Sequence, residues 1–106
     1  MRHFFYITEI YMKFEDLQLS KRKNKKFVII FSEPNLKIHF GSKNSNTYLN
    51  HKDKVKRHNY IKRHQALGED WDKINAASLS RYLLWGESDN LLINLKNYMK
   101  RFNIDY

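Results

Sequence analysis

The stretch "KFVIIFSEPNLKIHFGS", residues 26–42, holds two apolar runs on either side of Glu33, Pro34 and Asn35. Proline pre-sets φ for one corner of a tight turn and asparagine tolerates the next, so the two runs are predicted to fold back on each other as a β-hairpin. In the second run Leu36, Ile38 and Phe40 alternate with Lys37 and His39, which places one face on a core and the other in water. A lone hairpin is marginally stable, so other elements must pack against it.

Those elements are predicted downstream. Asn50 is a good N-cap, Asp53 puts a carboxylate in the first turn, and Gly68 supplies a left-handed stop, which together predict a helix over 51–67. "AASLSRYLLWG", residues 76–86, predicts a shorter apolar helix over 77–86 with Tyr82, Leu83 and Trp85 as anchors. Ser88 is placed to cap a third helix over 89–102, where Leu91, Leu95, Tyr98 and Phe102 share one face with Leu92 and Met99 beside it. Upstream, Ile7, Ile10, Tyr11, Phe14 and Leu17 recur three or four residues apart, the helical period. "SKRKNKK", residues 20–26, carries charges too dense for a core and reads as a hydrated linker.

The expected architecture is α+β. One β-hairpin packs against about three helices in a single small domain over residues 26–106, after a helical N-terminal extension and basic linker over 1–25. Val28, Ile30, Ile38, Phe40, Leu83, Trp85, Leu91, Leu95 and Phe102 are the expected core.

The chain of 106 residues has no cysteine, which excludes a disulfide framework, a thiolate nucleophile and a cysteine-based zinc site. Its longest apolar run, Phe27 to Phe31, is far short of the ~20 residues of a membrane-spanning helix. The N-terminus acquires acids too early for a signal peptide, so an intracellular setting is expected.

The formal charge of +9 is unevenly placed. Lys21, Arg22, Lys23, Lys25 and Lys26 form one basic run, and Lys52, Lys54, Lys56, Arg57, Lys62 and Arg63 form another that only Asp53 opposes. The rest of the chain is close to neutral. Concentrated charge of one sign attracts polyanions, so nucleic acid held through its phosphates is the expected partner. Arg57, Asn59, Arg63 and Gln65 spread around the helix rather than lining one side, which argues against strong base specificity. The alternative is a virion or assembly protein that binds an acidic protein surface, with Phe4, Phe5, Tyr6 and Tyr11 as a docking arm.

His51 and His58 are seven residues apart, but two histidines without cysteine make a poor zinc site, so surface or capping roles and no metal or cofactor are expected. His51, Asp53, His58 and Asn59 are residue types a nuclease uses, yet neither a catalytic spacing nor a Gly-rich phosphate loop accompanies them. A non-enzymatic binding role is the expectation.

In order, "HFGS", "YLNHKDKVKRHNYIKRH", "AASLSRYLLWGES" and "NYMKRFNI" resemble the pattern of a family of small proteins encoded by nucleocytoplasmic large DNA viruses. The likeness spans about residues 26 to 104; it departs at Ala76 and Ala77, where members often carry Ser or Thr and bulky aromatics. The family has no established activity. The resemblance therefore implies a viral accessory protein acting in the infected cell, in cytoplasm or nucleus, or packaged in the virion.

Overall fold

The computed structural model describes residues 12–106. Strands β1 (Lys13–Leu19), β2 (Lys25–Ser32) and β3 (Leu36–Ser42) precede helices α1 (Tyr48–His51), α2 (Lys54–Ala66) and α3 (Ala76–Leu79). Helix α3 runs directly into a π-helical turn, Ser80–Leu84, and α4 (Leu91–Arg101) follows. The fold is α+β, and the hairpin read in residues 26–42 is present as β2 and β3.

The sheet has a third strand. It is an antiparallel meander in the order β1-β2-β3, so Lys13–Leu19 is a strand rather than part of a helical extension. A bulge explains the helical look of the sequence. Phe14 lies opposite Phe31 and Asp16 opposite Ile30, so Glu15 is an extra residue that brings Phe14, Leu17 and Leu19 to one face at spacings of three and two. "KRKN" forms the β1–β2 turn, closed by the Ser20 N–H donating to the Lys26 carbonyl at 3.0 Å. A tight turn projects dense charge into water as well as a linker does. The boundary expected at residue 25 thus falls inside a hairpin, and residues 1–11 lie outside the described part.

The core sits between one face of this sheet and the C-terminal helices. Phe27 faces Phe40, Ile29 faces Ile38, and Phe31 faces Leu36. With all of residues 27–31 apolar, the alternation of β3 selects which face of β2 turns inward. Ile29 and Phe31 join the core in place of Val28 and Ile30; Val28 is nevertheless buried on the opposite face. Leu79, Leu83, Leu84, Leu95, Tyr98, Met99 and Ile104 complete the cluster, and Ile38, Trp85, Leu91 and Phe102 pack around it partly buried.

Helix starts differ from expectation for local reasons. Lys52 adopts left-handed φ 54° and separates α1 from α2, so Asp53 is the N-cap of α2, accepting from the Val55 and Lys56 N–H groups. Asn50 instead accepts from the Thr47 N–H at 2.9 Å at the start of α1. Asn90, not Ser88, caps α4 by accepting from the Ile93 N–H. The loop between the π turn and α4 is held by buried Asn94, whose amide donates to the Leu83 and Ser88 carbonyls at 3.0 and 2.7 Å and accepts from the Ser88 N–H at 3.1 Å.

Candidate nucleic-acid interface

Helix α2 has no apolar stripe, and Tyr60 is its one buried residue. Side contacts hold it instead. The Tyr60 ring stacks on Trp85 with centroids 4.3 Å apart and planes 5° from parallel, and His64 stacks on Tyr60 at 4.0 Å. Arg57 turns inward and donates its Nε–H to the Gly86 and Trp85 carbonyls at 2.7 and 3.2 Å. These carbonyls end the π turn and have no helical partner, so the guanidinium closes it. Arg57, placed among the phosphate ligands by sequence, therefore serves the fold. Arg81 does the same from the other side, donating to the Trp85 carbonyl at 3.0 Å. Burial, and then the neighbouring Arg57 charge, hold the Arg81 pKa below its ordinary value.

The side of α2 that carries Lys56, Asn59 and Arg63 at spacings of three and four faces a hollow of about 290 Å³. Asn46, His51 and Trp85 supply the rest of its lining. His51 is placed by the α1–α2 junction, where its Nδ1 accepts from the Asp53 N–H at 3.0 Å. In the neutral ring Nε2 then carries the hydrogen. That atom is buried and has no partner among the described residues. A buried donor left without an acceptor costs about 1–3 kcal/mol; the hollow itself offers an entering oxygen acceptor the two cations Lys56 and Arg63. Asp53 is occupied at the helix start, and its hydrogen bonds from the Lys56 and Val55 N–H groups hold its pKa below the ordinary carboxylate value.

The remaining basic residues fall into groups. Lys54 and Lys62 are exposed with His58 on another side of α2, and Lys52 is exposed at the α1–α2 junction. Among the described residues none of Lys52, Lys54, Lys56, Lys62 and Arg63 pairs with a carboxylate. Lys21, Arg22 and Lys23 are exposed on the β1–β2 turn. Lys25 begins β2 and lines a second hollow together with Tyr60 and His64 of α2. Lys26 donates to the Ser45 carbonyl at 2.7 Å and so is committed to the loop after β3. Phe4, Phe5, Tyr6 and Tyr11 lie outside the described residues.

Sequence reasoning placed Lys56 and Arg63 on one side of the helix but missed Asn46 and Trp85, which come from distant segments. Among the described residues, no group of three or more His, Asp or Glu side chains could hold a metal ion. No helix among them is long and apolar enough to cross a membrane.

Residues 15–64 are similar to DUF5754, a family of unknown function. No curated protein and no solved structure matches the chain. The similar segment runs from β1 to His64 of α2, so it includes both basic runs and stops before Trp85.

Proposed function

We propose that this protein binds nucleic acid through phosphate contacts, without strong sequence specificity and without catalysing a reaction on it. The observation that carries this reading is the hollow that Lys56 and Arg63 flank on one side of α2, lined also by Asn46, His51, Asn59 and Trp85. The exposed lysines of α2 and the β1–β2 turn extend the positive surface beyond it. The viral accessory role implied by the family resemblance belongs to the same proposal.

A salt series with duplex and single-stranded oligonucleotides tests it. Engagement of four to six phosphates gives a log-log slope of about −4 to −5 on duplex DNA, because each contributes about −0.9. Joint replacement of Lys56 and Arg63 by Ala flattens that slope by about 2.

Binding at low salt with no measurable slope would favour a second reading, an acidic protein partner in a virion or assembly role. A specific observation supports that reading too. The exposed Leu19 lies with Phe27 and Leu49 in a largely apolar hollow of about 390 Å³, bordered by Lys26 and Lys43. An apolar anchor flanked by acidic residues would suit it.

A further inference from the structure

Trp85 lines two hollows, and the inner one has a chemistry of its own. Its volume is about 190 Å³, and Lys25, Ser42, Tyr60, His64 and Ser80 contribute to its lining. Tyr60 is only 7% exposed, yet its hydroxyl has no hydrogen-bond partner among the described residues. Burial, reinforced by the charge of Glu69, pushes its pKa up to about 12, so at neutral pH the hydroxyl is a donor. The hydroxyls of Ser42 and Ser80 are likewise unpartnered among the described residues. Among the described residues no carboxylate lines the hollow. The nearby Glu69 is engaged behind it, with His64 Nδ1 at 2.6 Å and the Trp71 indole N–H at 3.0 Å.

A small space that Lys25, His64 and the hydroxyl residues Ser42, Tyr60 and Ser80 line beside Leu84 and Trp85, with no carboxylate among the described lining residues, suits an oxyanion. Its size narrows the choice. Pockets that take whole organic ligands start at about 300 Å³, so this one suits a group projecting from a larger molecule. An internal phosphodiester must continue as chain on both sides, whereas a terminal phosphate monoester enters end-on and presents three oxygens. Resting on the reading of α2 as a phosphate-binding surface, the geometry points to the inner hollow as the seat of a terminal phosphate of a nucleic-acid strand, with the adjoining internal phosphates passing over Lys56 and Arg63.

The test uses one oligonucleotide sequence bearing a 5′-phosphate, a 3′-phosphate or hydroxyls at both ends, with the full chain. One phosphorylated end is expected to bind about tenfold more tightly than the hydroxyl form. Lys25→Met and Tyr60→Phe should abolish that preference, whereas Lys56→Ala with Arg63→Ala should weaken all three oligonucleotides alike and preserve it. Equal binding of the three ends by the natural chain overturns the inference while leaving the phosphate-tracking reading intact. Absence of binding to all three defeats that reading instead. In that case inorganic phosphate decides for the hollow: NMR shifts at Lys25, Ser42, Tyr60 and Ser80 at millimolar phosphate, lost in Tyr60→Phe, retain a phosphate-monoester site there, and their absence overturns it.

Discussion

Helices α2 and α4 are alike in length, 13 and 11 residues, and both carry basic residues in the last turn, yet they are held in opposite ways. Helix α4 buries Asn94, Leu95, Tyr98 and Met99 along one face, and its position follows from the area it removes from water. Helix α2 buries Tyr60 alone and is fastened at its side by one ring stack and one guanidinium. One helix secures the core; the other is attached to it with most of its circumference in solvent. That division lets α2 carry exposed lysines without placing charge in the core.

The largest test of this contrast is in α4. Tyr98 is fully buried, and its ring packs 4.6 Å from that of Phe102. Tyr98→Ala should destabilise by about 3–5 kcal/mol in chemical denaturation, the usual range for emptying a large aromatic site in a core. A loss below ~1 kcal/mol would show that α4 is not the principal anchor. Within α2 the outward lysines should behave differently, with Lys62→Ala changing stability by no more than ~0.5 kcal/mol.

Arg57 sharpens the comparison, because it is an α2 residue that should respond like an α4 residue. Its side chain is 22% exposed and holds the Gly86 carbonyl, and the Trp85 carbonyl together with Arg81. Arg57→Ala should cost about 1.5–3 kcal/mol, and Arg57→Lys should recover little because an ammonium lacks the Nε–H that serves both oxygens. If the two variants instead keep full stability and lose only polyanion binding, Arg57 is a ligand residue and the fastening of α2 lies elsewhere.

What the sequence showed of this arrangement depended on whether a local signal had competitors. Pro34 and Asn35 between alternating runs left little choice, and the β2–β3 hairpin was legible. In β1 the extra residue Glu15 gave Phe14 and Leu17 a helical spacing of three, so the strand read as helix. In α2 both Asn50 and Asp53 are good caps, and the left-handed Lys52 that decides between them carries no sequence signature. Lys56 and Arg63 shared a side by helical periodicity alone. Their neighbours Asn46 and Trp85 required the tertiary fold, and the inward turn of Arg57 was hidden because a guanidinium in a basic run reads first as surface charge.

The smallest effect contrasts one tyrosine from each helix. Burial pushes the pKa values of Tyr60 and Tyr98 up to about 12, so both make the same alkaline contribution. Each stabilises the fold fully below the ordinary value of 10.0, and that contribution is lost as pH rises from there toward about 12. At neutral pH their hydroxyls differ. The Tyr98 hydroxyl bonds Ser78 Oγ at 2.7 Å, and Ser78 also donates to the Asn75 carbonyl at 3.1 Å, so Tyr98 is the donor of the pair. Tyr98→Phe removes that bond and should cost about 1 kcal/mol. Tyr60→Phe removes no bond among the described residues and should change neutral-pH stability by no more than ~0.5 kcal/mol. Each variant should also remove part of the alkaline loss, measured as the denaturation midpoint between pH 9 and 12. Equal neutral-pH losses in the two variants would mean that the Tyr60 hydroxyl already has a partner in solution, and the ligand-facing donor assigned to α2 would be withdrawn.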